Sequence, residues 1–275
     1  MPTITVSKLD AEQRYAHELK NAPQGLATTR TNLQRLLHSI DYVGWSKSEE
    51  SGRLDRRALT KFANGSVNVF SRRQHVEAET SAVSILIDCS GSMSDGERGD
   101  DGNYITRIRI AQQVSIHLSK MLQQARVSFA VTGFKNGIGD YLGNGGMTER
   151  PHFIPFKTWG KSLQQSIPAM GAMIGCAGGG TPDYTAIANA IEELSLRPEH
   201  RRILFIITDA EGYVREHMEY LQKLADKLGV LIVAIGIQSF TVTRCFDNAV
   251  NVNSLSDLCK TAFNQLLKAV QRGAK

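Results

Sequence analysis

Three short stretches of this chain hold oxygen-bearing side chains at spacings that suit a hard cation. Asp88-Cys89-Ser90-Gly91-Ser92 carries one carboxylate and two hydroxyls in D-x-S-x-S order, so alternate residues of one loop can turn toward one point. Gly178-Gly179-Gly180-Thr181-Pro182-Asp183 offers a hydroxyl on a backbone that glycine lets approach closely. Thr208-Asp209 ends the apolar run ILFIIT with a second carboxylate. Mg2+ takes octahedral oxygen ligands at about 2.1 Å and keeps several waters. The hydroxyls of Ser90, Ser92 and Thr181 can bind such an ion directly, and Asp88 and Asp209 directly or through water. Mn2+ or Ca2+ would use the same kind of donor. Neutral hydroxyls leave the ion undercompensated, so an open position could take a carboxylate from a partner. Each stretch also has an ordinary reading. Asp and Ser after a strand make turns and N-caps, Thr181 caps a helix with Pro182 at its first position, and Asp209 caps the next turn. It is the conjunction that points to a cation.

The elements around these stretches place them on one edge of a sheet. Residues 82–87, 126–134, 203–208 and 230–237 are short apolar runs of the buried-strand type. Between them, residues 105–125, 184–196 and 215–228 have helical periodicity, with residues 163–174 a further helix. Residues 152–156 read as a hairpin strand, 250–252 as a short edge strand and 255–271 as a closing helix. Strands alternating with helices predict an α/β fold, a doubly wound and mostly parallel sheet flanked by helices. In such sheets functional loops lie beyond the carboxyl ends of the strands, and each of the three stretches falls there or on a neighbouring loop. A boundary near residue 80 divides the chain into an N-terminal flank, 1–80, and a main domain, 81–275. In the flank, residues 30–40 read as a helix ending before a turn at Gly44, 52–62 as a short helix, and 66–78 as an extended segment.

Composition narrows the classes of function. The chain has 275 residues, 41% hydrophobic and 21% charged, which suits a globular protein with a sizeable core. Its 32 basic and 27 acidic residues give a net charge of +5, spread too thinly to imply nucleic-acid or membrane binding. The first 25 residues have no apolar core of a secretion signal, and no apolar run is long enough to span a bilayer, so a cytoplasmic location is expected. Cys89, Cys176, Cys245 and Cys259 form no CxxC pair and are expected as reduced thiols.

DCSGS, GGGTPD and ITD together resemble the metal-ion-dependent adhesion site of von Willebrand factor A (VWA) domains, over residues 81–272. The resemblance implies that Asp88, Ser90, Ser92, Thr181 and Asp209 ligate Mg2+, Mn2+ or Ca2+. It also implies that the ion bridges to an acidic residue of a partner. A narrower likeness is carried by SGRLDRRALTKFANGSVNVFSRRQ, RPEHRRILFIITDAEG and VLIVAIGI. These are similar to the C-terminal region of the cobaltochelatase CobT subunit, including versions found in bacteriophages. That likeness implies an adaptor working with a MoxR-type, CobS-like AAA+ ATPase, as in metal insertion into a corrin ring. The chain departs from the pattern after Asp209, where it reads Ala210-Glu211-Gly212 instead of placing glycine directly. Before the domain this sequence shows residues 1–80, ordinary in composition, where the CobT subunit has a long acidic segment.

Two other classes of function fit the residues less well. A nucleotide hydrolase would show GxxxxGK[ST], and a haloacid-dehalogenase-type phosphatase a second Asp two residues after Asp88, where Ser90 stands. Intrinsic catalysis is therefore not expected. An adhesin would need export, and a Ro-type RNA-binding protein a large helical ring upstream. The acidic loop 94–103, with its Arg98-Gly99-Asp100 triplet, reads as a solvated insertion. The basic stretch Arg53, Arg56, Arg57, Lys61, Arg72 and Arg73 reads as a solvated surface.

Overall fold

A computed structural model describes residues 7–20, 43–49, 51–54, 60, 68–75, 81–98, 102, 104–136 and 151–253. Its centre is a six-stranded sheet built from β4 (Ser81–Asp88), β7 (Ser128–Asn136), β8 (Pro151–Lys157), β9 (Arg201–Thr208), β10 (Val230–Ile237) and β11 (Ala249–Val252). The spatial order is β11-β10-β9-β4-β7-β8, parallel throughout except for β8, which pairs antiparallel to β7. The chain starts in the middle at β4, runs outward to β7 and β8, then returns to the other side of β4 as β9. The order therefore reverses between β4 and β9, and in such sheets the carboxyl ends of the strands at this reversal form the ligand-binding crevice.

Both faces of the sheet are covered, which explains why its strands read as continuous apolar runs. Val83, Ile85 and Ile87 point into one core beneath α2 (Arg107–Gln124) and α3 (Leu163–Gly171). Ala82 and Leu86, the alternate residues, point into a second core beneath α4 (Asp183–Ser195) and α5 (Arg215–Leu228). Ser162 and Gln165 form a capping box that starts α3. At the end of α5, Gly229 has φ 67°, the left-handed cap that turns the chain into β10. A short α6 (Val242–Cys245) links β10 to β11.

Helix α1 (Lys8–Lys20) is an element the sequence patterns do not announce, because it is polar nearly all round. Only Ala11, Tyr15 and Glu18 are buried, and Tyr15 joins the core beneath α2. α1 crosses α3 so closely that a Cβ on Gly171 would overlap the Ala11 carbonyl. Part of the 1–80 flank is thus packed on the central sheet's helical layer.

The flank also holds a separate antiparallel sheet of β1 (Val43–Glu49), β2 (Arg53–Leu54) and β3 (Phe70–His75), in the order β1-β3-β2. Gly44 lies within β1 and not in a turn, and residues 53–54 are strand where a helix was expected; β3 matches the extended reading. The expected helices at 30–40 and 255–271 and the glycine-rich stretch 137–146 lie outside the described residues. Within the acidic insertion, β5 (Gly96–Arg98) and β6 (Tyr104–Thr106) pair antiparallel, delaying the start of α2 to Arg107. Glu97 and Arg98 are exposed, as a solvated insertion requires, while Gly99 and Asp100 are outside the described residues. Among the described residues no helix is long and apolar enough to cross a membrane.

Candidate metal centre

Asp88 is the last residue of β4, and Asp209 follows the last residue of the adjacent β9, so the two carboxylates flank the crevice. Both are buried, at 0% and 2% exposure. Asp88 Oδ1 accepts the Ser90 amide at 2.9 Å, and its Oδ2 accepts the Thr208 hydroxyl at 2.8 Å. Thr208 in turn accepts the Ala210 amide at 2.8 Å, so one hydroxyl ties the two strand ends together. These donors are neutral. Burial dominates and pushes the Asp88 carboxyl from 3.8 up to about 6, with hydrogen bonds from Ser90 and Thr208 offsetting part of the rise and Asp209 adding to it.

The D-x-S-x-S loop and the triple-glycine loop are joined through backbone atoms. Gly91 N donates to Gly179 O at 2.8 Å, and Gly178 N to Cys89 O at 2.9 Å. Asn136 N at the end of β7 donates to Gly180 O at 3.0 Å. Gly178 and Gly179 adopt φ 147° and 85°, and a Cβ on Gly180 would meet Asn136 Nδ2 at 2.7 Å. The loop needs its glycines for conformation and for close approach. Its effect is to bring the segment carrying Thr181 beside the segment carrying Ser90 and Ser92.

The Ser90 and Ser92 hydroxyl oxygens are 3.1 Å apart. Neighbouring ligands of an octahedral Mg2+ with bonds of about 2.1 Å stand about 3.0 Å apart, so this pair has the spacing of one octahedral edge. Pro182, and not Thr181, is the N-cap residue of α4, so the ordinary reading that put Pro182 at the first helical position is shifted by one residue. The expected turn role of Asp209 does: its Oδ1 accepts the Glu211 amide at 3.1 Å. Cys89 is fully buried, and burial raises its thiol well above the usual range, as befits a packing residue. Cys89, Cys176 and Cys245 are free thiols, and Cys259 is outside the described residues.

Among the described residues no three His, Cys, Asp or Glu side chains cluster as a metal-binding group. The donor set here is different in kind, two carboxylates and three hydroxyls. All are hard oxygens, and the buried Asp88 carboxylate meets only neutral donors, Ser90 N and the Thr208 hydroxyl. On both counts the residues fit a small divalent cation.

Two neighbours carry no signal in the sequence. Arg107, the first residue of α2, donates from Nη1 to Asp209 Oδ2 at 2.9 Å. The same nitrogen lies 3.4 Å from Ser92 O and 3.6 Å from Glu211 Oε2. Tyr213 is buried beside Thr208 among the charges of Asp88, Asp183 and Asp209, and burial with those charges drives its phenol far above its ordinary range. Its hydroxyl finds no partner of hydrogen-bond geometry among the described residues. Both residues arrive by folding, Arg107 from beyond the hairpin and Tyr213 from the loop after β9.

No protein-family model matches the chain, and no curated protein matches it in sequence. Solved structures resemble it at low identity. The PilB minor pilin of Streptococcus sanguinis shares 15% identity over 74% of this chain and 64% of the pilin, with a TM-score of 0.49. This chain thus spans less than two thirds of the pilin's length. A conserved protein of Bacteroides thetaiotaomicron, BatB, shares 14% over 69% of this chain and 98% of its own, TM-score 0.49. The manganese-loaded TRAP protein of Plasmodium vivax shares 12% over 71% of this chain and 73% of its own, TM-score 0.45.

Proposed function

We propose that the crevice between β4 and β9 holds a divalent cation, Mg2+ or Mn2+ (or Ca2+), and that the chain is a VWA-type protein-interaction module. Ser90, Ser92 and Thr181 bind the ion through hydroxyls, and Asp88 and Asp209 bind it directly or through water. Bound there, the ion supplies a positive charge with an open coordination position. The observation that carries the reading is the convergence of three loops on the strand-order reversal, with two buried carboxylates and a serine pair at octahedral spacing. The chain's own residues do the rest. Thr208 orients Asp88, the glycine loop delivers Thr181, and Cys89 fills space beneath.

The partner in this reading offers a carboxylate to the ion. The CobT-like stretches in the sequence point to a MoxR-type AAA+ ATPase, with residues 81–275 as the interaction domain and 1–80 as its flank. The test has two parts. Mn2+ binding, read by electron paramagnetic resonance, is expected in the native chain and lost in Asp88→Ala. Co-purification with such an ATPase is expected in Mg2+ and lost in EDTA. Binding to the ATPase that ignores both treatments would remove the metal from the interaction.

A further inference from the structure

The candidate cation site already faces a positive charge supplied by the chain. The Arg107 guanidinium bridges two of the three loops, through Asp209 Oδ2 and Ser92 O. Its position is poorly rewarded elsewhere. It stands at the first position of α2, where the helix dipole disfavours a cation and where no acidic residue occupies the first turn. Its Nε is buried and has no hydrogen-bond partner among the described residues. Leaving such a donor unmet is unfavourable. What holds Arg107 is Asp209, 2% exposed, and a second acceptor stands ready in Glu211, 67% exposed and 3.6 Å from the same nitrogen.

We propose that Arg107 is the resident counter-ion of this site, competing with the divalent cation for Asp209 and moving to Glu211 when the cation binds. The inference rests on the cation site proposed above and deepens it. A guanidinium and a dication cannot share one buried carboxylate oxygen without strong repulsion. In this reading Asp209 takes the ion directly, so entry of the metal breaks the Arg107–Asp209 bond, and the freed guanidinium needs only to turn toward Glu211. The exchange makes the metal bind more weakly than its donors alone would allow. A partner carboxylate that completes the coordination then favours metal loading, so ion and partner bind together.

Two measurements test this on the full chain. In Arg107→Gln, Mn2+ affinity is expected to rise by about tenfold, since a charged hydrogen bond no longer has to be broken. An unchanged or weaker affinity would overturn the inference. Should that variant fail to fold, the native protein still decides. The Arg107 Nε–H resonance, followed by nitrogen-15 NMR, is expected to shift during a Mg2+ titration with the same midpoint as the Ser90 and Glu211 amides. Amides that move while Arg107 stays fixed overturn the role of Arg107 and leave the cation site standing. No movement in any of them removes the cation site and this inference together.

Discussion

Two of the regions that bury charge treat it in opposite ways. Beneath α1, Glu18 is surrounded by partners. Its Oε1 accepts from Arg109 at 3.0 and 3.2 Å, its Oε2 accepts from Gln113 at 2.6 Å, and its carbonyl meets His117 Nε2 at 3.2 Å. Nearby, Gln112 donates to the carbonyls of Met170 and Gly171 at 2.8 and 3.0 Å. At the carboxyl edge of the sheet, Asp88 has only neutral donors, and Asp209 shares one guanidinium whose Nε is left over. Apart from Gln112 Oε1, which finds no partner among the described residues, the first network is satisfied, and it fixes a helix that propensity and apolar contact alone would hold weakly. An underpaired one stores unfavourable burial that a ligand can relieve.

That contrast can be broken at several points. The largest expected effect is at Asp88. Asp88→Asn keeps the shape, lowers Mn2+ affinity about 100-fold and, without metal, stabilises the fold by on the order of 2 kcal/mol at neutral pH. The sign follows from linkage. The folded carboxyl titrates at about 6 and the unfolded one near 3.8, so the native state holds the extra proton in that window. Metal-free stability therefore declines as pH rises from about 4 to 6, and the variant's advantage grows over the same range. Urea unfolding at pH 5 and pH 8 measures it. A variant less stable than the native chain in EDTA at pH 8 would place Asp88 in the satisfied class.

Next is Glu18. Glu18→Ala leaves Arg109 and Gln113 without their acceptor and is expected to lose about 2 kcal/mol in urea unfolding, with no change in Mn2+ affinity. A fall in Mn2+ affinity would mean that the two regions are coupled. A smaller effect belongs to His117, whose pKa burial lowers from its ordinary 6.5. Its stabilising contribution is complete above 6.5 and lost as pH falls from there through the lowered folded-state value. In His117→Gln the decline of stability between pH 7 and pH 5.5 is expected to be shallower. The smallest expected effect is at Ala210, which adopts φ 51° and is fully buried. Ala210→Gly relieves about 1 kcal/mol of left-handed strain and loses about 0.8 kcal/mol of methyl burial, so its urea midpoint should hardly move.

Much of the sheet was legible because its strands are buried on both faces and its helices on one. Residues 215–228 and 230–237 are α5 and β10 as read, and the other strands and helices of the central unit differ by a few residues at their ends. The loops carrying Asp88, Ser90, Ser92 and Asp209 were legible for the same reason, since each follows a strand end, whereas the Thr181 loop lies between two helical segments and meets β7 only through the Asn136–Gly180 hydrogen bond. The departure after Asp209 also has a physical content. Position 210 needs a positive φ, which glycine would adopt freely and alanine adopts under strain. What escaped was whatever depends on long-range pairing. α1 has too few apolar residues to announce itself, and its docking is decided by Gly171 and by Glu18 partners up to 99 positions away. Arg107 lies 102 residues from Asp209 in sequence, inside a helix whose apolar pattern says nothing of its first residue.

The central place of β4 has a mechanical consequence. Ser81–Ile87 pair in parallel register with β9 on one side, and Ala82–Asp88 with β7 on the other. A load applied at Asp88 along the strand axis would have to shear both ladders at once, because β4 cannot peel from an edge. A load applied there would therefore be shared by two hydrogen-bonded ladders instead of opening the sheet from one edge.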